Sequence, residues 1–391
     1  MFNLHFGRTR GTIVAVADIG GGSAAFAVVS VALHAPARVL AAERLFLTLE
    51  ERSTEATVAA LGELLIQAGQ KVLKLYNAEK NAAPVEKAYC IVAAPWSRSK
   101  SARAAGHFSE PRVITKSVIA TLAKQALADE HELDHQRLLE AAVVRVELNG
   151  YETREPEKKT AQRIAVSALI TDCDTQLRAT ATAALATLLP HLSPVFRSST
   201  RALLRVVREF QDHEEDRIIV EIARVGTTLT TIYEGSIGQQ HLLSEGIGSI
   251  LKRLSPSGMP EETMSLIRML GRDQCSSAAC EEMQNAMAKI EPDLVRSFAE
   301  GLSACAATRK LPTKLMLSVE RDFLPWLSKF FTRIDFTQFT VTTQPFSVEA
   351  LTAQELSQSV IQQGHVPLDA ALALSVALVN REQGEEYGSA I

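Results

Sequence analysis

The sequence lacks the features that mark most membrane, secreted and nucleic-acid-binding proteins. No segment of its 391 residues reaches the ~18 uninterrupted apolar residues that a bilayer-spanning helix needs. Its 41 Lys and Arg are matched by 45 Asp and Glu, so no excess of positive charge attracts a polyanion or an anionic membrane surface. Asp18 interrupts the first apolar stretch and no small-residue cleavage site follows, so we expect no signal peptide. These absences predict a cytoplasmic protein that binds no nucleic acid and does not insert into the membrane.

Cysteine is scarce as well, and several catalytic motifs are missing. The five cysteines are odd in number and scattered through a chain too long to need disulfides, so we expect reduced, mostly buried thiols without a zinc site. They are Cys90, Cys173, Cys275, Cys280 and Cys305. The sequence contains no G-x-S-x-G nucleophile elbow, no Walker A loop and no G-x-G-x-x-G that opens a helix. The commonest hydrolase, P-loop and dinucleotide-binding functions therefore lose their support.

What is present is an ordinary globular composition with a duplicated pattern. Of the residues 46% are hydrophobic and 22% are charged, and a chain of this length usually outgrows a single core. Residues 12–33 have the pattern of a strand, a glycine turn and a second strand, and residues 217–233 repeat it about 200 residues later. An amphipathic helix at 54–76 follows the first copy. The repeat predicts two related α/β lobes.

A segment of mixed character separates the two copies. Residues 88–172 begin with a short apolar strand, continue through a polar stretch and a helix from Ser117, and end in two strands. We therefore expect a small strand, helix, strand, strand subdomain inserted into the first lobe. The predicted domains are 1–87 with 173–211 for the first lobe, 88–172 for the inserted subdomain, and 212–391 for the second lobe, with a helical part at about 256–307 and a core helix at 368–380.

The first turn carries the clearest candidate chemistry. Gly20, Gly21 and Gly22 expose backbone N–H groups between two strands and Ser23 adds a hydroxyl, a combination that can cradle a phosphate chain. Asp18, at the strand end, can position a hydrated Mg²⁺. The alternative is a flexible hairpin turn without a ligand, since glycine-rich turns are common. If phosphate binds here, Gly21→Val is expected to abolish nucleotide binding and to leave the fold intact.

The second turn keeps only part of this pattern. Its candidate binding residues are Glu221 at the strand end, then Gly226, Thr227 and Thr228. Ala223 and Arg224 place Cβ atoms where close approach of a phosphate favours glycine. We expect this turn to bind phosphate weakly on its own.

A further motif matches a metal site. The run His131-Glu132-Leu133-Asp134-His135 has the H-E-x-x-H spacing, in which two His one helical turn apart bind zinc and the Glu activates water. A zinc hydrolase that uses His131, Glu132 and His135 is therefore an alternative function. Acidic neighbours make this helix face polar and no third ligand is evident downstream, so a solvated helix end is the competing interpretation.

The duplicated turns and the insert resemble the actin-like ATPase superfamily, in particular the branch that contains the cell-division protein FtsA and the type IV pilus protein PilM. The likeness rests on residues 18–23 and 221–228 as two phosphate motifs, 143–151 in the insert, and 234–235 followed by 244–248 as the loop that enters a helix. It implies an α/β, two-lobed, ribonuclease H-like duplicated fold that closes on ATP with Mg²⁺. In this family the insert and the cleft bind partner proteins.

Departures from the family pattern concern the nucleotide. The family carries Asp where Glu221 stands and Gly where Ala223 stands. Its adenosine motif has paired glycines after a strand, whereas the predicted strand at 314–318 is followed here by Val319-Glu320-Arg321, two of whose side chains are charged. Binding of ATP with Mg²⁺ is therefore predicted to be weak or lost, and the chain to be at most a degenerate ATPase.

The leading hypothesis is a cytoplasmic actin-like scaffold. Its inserted subdomain is expected to bind a membrane-anchored protein of a cell-division or type IV pilus assembly, which brings the scaffold to the inner face of the membrane. FtsA adds a C-terminal amphipathic membrane helix, but residues 381–391 here are acidic and short. Self-association stays open. The main alternative is an active sugar-kinase-like phosphotransferase of the same superfamily, for which no catalytic carboxylate can be named.

Overall fold

The computed structural model describes residues 11–385 except 51, 81, 211–214, 256–258 and 273. Residues 1–10 and 386–391 lie outside this part of the chain, so the expectations for a signal peptide and an acidic tail concern segments that are not fully described. The described strands are β1 (Thr12–Gly20), β2 (Ser23–Val31), β3 (Ala37–Phe46), β4 (Lys87–Val92), β5 (Ser97–Val113), β6 (Leu138–Leu148), β7 (Tyr151–Glu152), β8 (Thr160–Cys173), β9 (Val195–Ser198), β10 (Arg217–Ile222), β11 (Thr227–Tyr233), β12 (Ser236–Leu243), β13 (Lys314–Val319), β14 (Ser347–Ala350) and β15 (Val360–Gln362). The described helices are α1 (Thr54–Asn77), α2 (Lys116–Ala128), α3 (Thr175–Leu188), α4 (Ser199–Phe210), α5 (Ile247–Leu254), α6 (Pro260–Gly271), α7 (Ala278–Cys305), α8 (Leu324–Arg333) and α9 (Ala370–Glu385).

The two lobes are built on sheets of the same topology. The first sheet has the strand order β15-β3-β2-β1-β4-β9, and the second has the order β12-β11-β10-β13-β14. In each sheet the first strand pairs antiparallel with the second and parallel with the fourth, as β1 does with β2 and β4, and β10 with β11 and β13. The predicted duplication is therefore confirmed, and β15 is the one addition to the first sheet among the described strands.

Apolar residues on both faces of the central strands place helices on both sides of each sheet. β1 and β2 are almost entirely buried, as expected of strands covered on two faces. Helices α1 and α3 cover the outer face of the first sheet. Helices α4 and α9 lie between the lobes, where one cluster of buried side chains joins Val14 of β1, Leu203 of α4, Ile219 of β10 and Val376 of α9. This central layer connects the two lobes through apolar contacts.

The end of the chain returns to the first lobe, which corrects the sequence-based boundary of 212–391 for the second lobe. Strand β15 pairs in parallel with β3, and α9 packs against β1, β2 and α4. The predicted core helix therefore exists, but it does not belong to the second lobe alone. Because its apolar face is equally suited to either sheet, the sequence could not say which one it covers. None of the described helices, α9 included, is long and apolar enough to cross a bilayer.

The inserted subdomain is an antiparallel sheet of order β5-β8-β6-β7 with α2 on one face. Leu122, Ala123 and Ala126 of α2 pack on Ile164 and Val166 of β8. The predicted boundary at residue 88 is corrected, because β4 belongs to the first sheet and the subdomain begins with β5. This 17-residue strand falls in the predicted polar stretch, where serine and cationic residues hide the alternation that marks a strand.

Helices α5 to α8 cover the outer face of the second sheet. Their core is rich in phenylalanine: the ring of Phe331 lies edge-on to Phe298 at 4.8 Å between centroids and to Phe330 at 5.2 Å. Such edge-to-face pairs add about 0.5–1.5 kcal/mol each beyond the apolar area they bury. The second lobe therefore has a core of its own, separate from the layer between the lobes.

The cysteines follow the prediction only in part. Cys90, Cys173 and Cys305 are free and buried, as expected. Cys275 and Cys280, in contrast, are joined by a disulfide at the start of α7. Their five-residue spacing spans a turn that brings the two Cα atoms to 5.9 Å, a separation that a disulfide bridges readily. The prediction of reduced thiols throughout is thus corrected at this pair.

Candidate functional site

The β1–β2 turn and the β10–β11 turn meet tip to tip between the lobes. In the first turn Gly22 has a φ of 96°, a left-handed conformation that glycine adopts readily because it lacks a Cβ. The carbonyl oxygen of Gly21 accepts one hydrogen bond from the Arg224 N–H at 3.0 Å and a second from the Val225 N–H at 3.2 Å. The two predicted phosphate motifs are therefore brought together, but they contact each other directly.

No gap is left at this contact for a phosphate group. A Cβ on Gly21 would lie 3.2 Å from the Cβ of Ala223, and a Cβ on Gly22 would lie 2.9 Å from the Cβ of Arg224. Four N–H groups in the two turns already donate to main-chain carbonyls, namely those of Gly22, Ala223, Arg224 and Val225. Gly20 is also engaged, because its carbonyl accepts a hydrogen bond from the Trp96 indole. The N–H of Gly22, one of the predicted phosphate donors, and three N–H groups of the second turn are thus used within the protein.

Asp18 and Ser23 are held by a buried arginine that the sequence did not single out. Arg44 of β3 donates to Asp18 Oδ1 at 2.8 Å and to Ser23 Oγ at 2.9 Å, and it also bonds Asp369 Oδ2 at 2.7 Å. Ser375 of α9 donates to Asp18 Oδ2 at 2.5 Å. Both oxygens of the Asp18 carboxylate, whose side chain is 5% exposed, have protein partners. Asp18 is therefore engaged in a structural cluster and not free to orient a hydrated Mg²⁺.

The charges in this cluster stabilise one another. Burial alone would raise the pKa of Asp369, but the Arg44 guanidinium holds that pKa below its ordinary value. Burial likewise opposes the charge on Arg44, while Asp369 and Asp18 raise its pKa above the ordinary value. Because the partners come from β1, β3 and the start of α9, the ionised cluster ties the end of the chain to the first sheet. No local sequence signal links Arg44 to Asp369, since 325 residues separate them.

In the part of the chain that the structure describes, the carboxylate of Glu221 lacks the hydrogen bonds and ion pairs that engage Asp18. It is half-buried on β10, and within the described residues no hydrogen bond or ion pair reaches its carboxylate. Burial, and secondarily the charge of Asp18, raise its pKa to about 7. The two acids that sequence analysis placed at the two strand ends therefore lie close enough for the charge of Asp18 to affect the pKa of Glu221.

We expect Glu221→Gln to flatten the pH dependence of stability. Between the ordinary pKa of 4.5 and the folded value of about 7, the folded protein binds more protons than the unfolded chain, so the free energy of unfolding falls as pH rises through this window. In the variant the free energy of unfolding does not fall in this way. Relative to the parent, it should therefore rise by about 1–3 kcal/mol between pH 4.5 and pH 8. Urea unfolding across this range measures the effect, with Glu63→Gln, an exposed position on α1, as control. Parallel pH profiles for the parent and Glu221→Gln would contradict the prediction.

The remaining second-turn candidates are buried where β11 meets β12. Thr227 and Thr228 are 0% and 5% exposed, and the Thr227 hydroxyl donates to the Glu245 carbonyl at 2.6 Å. A Cβ on Gly226 would lie 2.6 Å from the carbonyl oxygen of Leu243. These residues thus close the second turn against the loop before α5, and their hydroxyl and backbone groups do not face open space.

The N-terminus of α5 is occupied as well. A helix N-terminus attracts anions because its first N–H groups lack partners within the helix. Here the Ile247 N–H donates to the Ala223 carbonyl and the Gly248 N–H donates to the Arg224 carbonyl, both at 2.9 Å. The carbonyls of the second turn therefore take the place that an anion would need.

Two residues that the sequence marked as unfavourable for a nucleotide, Arg224 and Glu320, form an ion pair. Arg224 Nε of the second turn lies 3.0 Å from Glu320 Oε1, just after β13. The sequence showed a cation where a phosphate-binding turn favours glycine and an acid where the resemblance implies a bare floor, but it gave no sign that they pair. Two cavities of about 220 and 310 Å³ adjoin this region, lined by residues such as Thr48, Arg52, Ser249 and Lys252, and neither is lined by Asp18 or by residues 20–23.

The residues at the two turns do not fit an ATP with Mg²⁺. The Gly22 N–H donates within its own turn and the Gly21 carbonyl accepts from the second turn, the candidate Mg²⁺ carboxylate is paired with Arg44, and Glu320 stands where the resemblance implies a bare floor for the base and sugar. The arrangement is suited to holding the lobes together and offers no cradle for a triphosphate.

The predicted zinc motif is corrected by the local structure. Helix α2 ends at Ala128, and His131 lies in the loop that precedes a single 3₁₀ turn starting at His135, so the two histidines do not share a helix face. Glu132 pairs with Lys100, and it is not aimed at a site between the histidines. In the part of the chain that the structure describes, no three His, Cys, Asp or Glu side chains are placed to hold a metal ion.

Comparison with known proteins gives a result at the level of the fold. No family model matches the sequence, and no curated protein matches it significantly. Among solved structures, PilM of a PilM–PilN type IV pilus biogenesis complex is similar with a TM-score of 0.58 at 13% identity, over 94% of this chain and 98% of that chain. More distant are the ethanolamine utilization protein EutJ from Carboxydothermus hydrogenoformans, with a TM-score of 0.41 at 11% identity over 93% and 88% of the two chains, and the activator of the 2-hydroxyisocaproyl-CoA dehydratase from Clostridium difficile, with 0.39 at 9% identity over 96% and 97%. The similarity to PilM over nearly the whole chain shows that this chain has the two-lobed actin-like ATPase fold.

Proposed function

We propose that this protein is a nucleotide-independent actin-like scaffold that binds a membrane-anchored protein of a cell-division or type IV pilus assembly through its inserted subdomain. The observation that supports this most is the direct contact between the two turns, because their tips fill the space that a phosphate chain needs. A protein that keeps this fold without a nucleotide cycle is suited to holding partners in a fixed geometry. PilM, which shares the fold, was solved in a complex with PilN, and this supports a partner-binding role here by analogy.

The phosphotransferase alternative has less support. Glu221 has a pKa of about 7, which suits a general base, but a base acts only on a substrate placed within hydrogen-bond reach. The turn that would have to present a phosphate to such a substrate is closed by the contact between Gly21 and Arg224. We therefore favour the scaffold, which would act at the inner face of the cell membrane through its partner.

The nucleotide-independent part is tested by a thermal melt with 2 mM Mg-ATP, for which we expect no shift of the midpoint. A ligand that binds only the folded state at 100 times its dissociation constant adds about 2.7 kcal/mol, which corresponds to several degrees. Mg²⁺ without ATP serves as control. An upward shift of several degrees that requires ATP would contradict this part of the proposal and would reopen the nucleotide-switch function.

The partner-binding part is tested by co-sedimentation with membranes from the source cells. The full-length protein is expected to sediment with these membranes, to lose binding after their proteins are digested with a protease, and not to bind vesicles of the extracted lipids. Tyr151→Ser changes an 80% exposed side chain of the inserted subdomain and should weaken sedimentation, whereas Leu75→Ser, a 56% exposed position on α1, should not. Binding to the pure lipid vesicles, or equal loss in both variants, would contradict the proposal.

A further inference from the structure

Arg224 touches both lobes at once. It belongs to the second turn, and its guanidinium pairs with Glu320 of the second lobe at 3.0 Å. The same guanidinium donates to the Leu47 carbonyl of the first lobe at 3.3 Å and lies 4.2 Å from the centre of the Phe46 ring. The planar guanidinium of arginine can stack on an aromatic ring while its N–H groups bond a carboxylate and a carbonyl, a combination that the compact ammonium of lysine suits less well.

The surroundings make this contact stronger than a surface ion pair. The side chains of Arg224 and Glu320 are only 19% and 20% exposed, so salt and water screen their attraction less than at an open surface. The backbone of Arg224 adds the hydrogen bond to Gly21, which is also a contact between lobes. One residue therefore joins the lobes through its main chain, its charge and its stacking on Phe46.

A second set of contacts depends on the same closure. The inserted subdomain grows from the first lobe, yet it is bonded to β12 of the second lobe: the Ser99 N–H donates to Gln240 Oε1 at 3.0 Å, and the Ile237 N–H donates to Ser101 Oγ at 2.9 Å. If the lobes separated, these bonds would break and the subdomain would no longer lie beside the second lobe. The position of the proposed partner-binding subdomain is thus coupled to the closed cleft.

We propose that Arg224 is a built-in latch that takes the place of a bridging nucleotide: with Glu320, Leu47 and Phe46 it holds the lobes closed and fixes the inserted subdomain against the second lobe. This inference rests on the proposed nucleotide-independent function. A ligand closes a two-lobed protein only in the fraction of molecules that it occupies, because it acts through its differential affinity for the closed state. A side chain that bridges the lobes is present in every molecule, so it favours the closed state without any ligand.

The latch is tested by measuring the distance between the lobes with a pair of spin labels. Lys74→Cys on α1 and Lys289→Cys on α7 place one label at an exposed position of each lobe. Labelling is selective among the described thiols because Cys90, Cys173 and Cys305 are buried and Cys275 and Cys280 are disulfide-bonded. The full-length parent should give one narrow distance distribution that Mg-ATP leaves unchanged.

Arg224→Ala is expected to add a second population at longer distances, and Glu320→Gln a smaller one. The matched control is Arg268→Ala, which removes an arginine–carboxylate pair at 2.8 Å to Asp322 that lies within the second lobe, and it should leave the distribution unchanged. Circular dichroism establishes whether each variant is folded. If Arg224→Ala does not fold, the distance distribution of Glu320→Gln decides the test.

The outcomes separate the latch from the proposed function. Distributions of the folded Arg224→Ala and Glu320→Gln variants that match the parent would overturn the latch and leave nucleotide independence intact. Broadening of equal size in Arg268→Ala would also overturn it, because the effect would then not be specific to the bridge between lobes. A shift of the parent's distribution on addition of Mg-ATP would overturn the proposed function and the latch together.

Discussion

Gly21→Val is expected to lower the free energy of unfolding by about 2–3 kcal/mol. The first atom of the new side chain would already lie 3.2 Å from Ala223 and Val225 and 3.3 Å from the Ala94 carbonyl, and valine adds two further methyl groups. Because the second turn is held by α5 and by Glu320, it cannot withdraw without breaking other contacts. Urea unfolding of the full-length protein measures the loss. From the sequence alone this change was expected to spare the fold, and the contact between the turns is the reason for the new expectation.

A graded series makes this prediction specific. Gly21→Ala should cost less than Gly21→Val because it adds only the Cβ. Gly106→Ala is the control, since a Cβ there would meet its nearest neighbour at 3.4 Å, an ordinary van der Waals contact, and should change stability by less than about 1 kcal/mol. If Gly21→Val were as stable as the parent, the two turns would not be in contact in solution, and space for a phosphate chain would have to be reconsidered.

The fold could be predicted from the sequence where the local residue pattern alone marks the strands and turns. The two strand–turn–strand units at 12–33 and 217–233 are visible because their strands are apolar on both faces and their turns are short, and the equivalent sheets of the structure confirm the duplication. Strand β5 escaped notice because its exposed face carries serine and cationic residues in place of apolar ones. The return of β15 to the first sheet could not be seen, since its three residues carry no signal for their partner β3.

For the candidate site, the sequence predicted which residues belong to it but not how they contact one another. The sequence identified both turns and marked Arg224 and Glu320 as unfavourable for a nucleotide, and the structure brings these features together. What the sequence could not supply is how they interact. A glycine turn that binds phosphate and one that binds another turn have the same residues, and only the position of the opposite lobe decides between them. The role of Arg44 was missed because a charged residue inside a buried strand can be recognised only through its distant partner Asp369.

A buried ion cluster fixes the base of the inserted subdomain on the first lobe. Glu140 of β6 accepts hydrogen bonds from the Ser198 N–H at 2.9 Å, from the Ser198 hydroxyl at 2.5 Å and from Arg201 at 2.9 Å. Glu382 of α9 pairs with Arg197 at 2.9 Å and with Arg201 at 2.8 Å. Glu140 and Glu382 are each 7% exposed. The cluster therefore joins the inserted subdomain, the start of α4 and the end of the chain through fully engaged charges.

Glu140→Ala is expected to lower the free energy of unfolding by about 3–5 kcal/mol, because removing one member of a buried ion cluster leaves its partners desolvated and unpaired. Arg201 keeps its ion pair with Glu382, so we expect a loss of about 3 kcal/mol. The Ser198 N–H, in contrast, loses its acceptor. Urea unfolding measures the loss, and Glu157→Ala, an exposed acid of the same subdomain 3.8 Å from Lys116, should change stability by less than about 1 kcal/mol. Amide exchange in β6 should accelerate in Glu140→Ala alone. Equal unfolding midpoints for the two variants would mean that apolar contacts orient the inserted subdomain, and a scaffold that presents its partner from a fixed position would have to rely on the bonds between β5 and β12 instead.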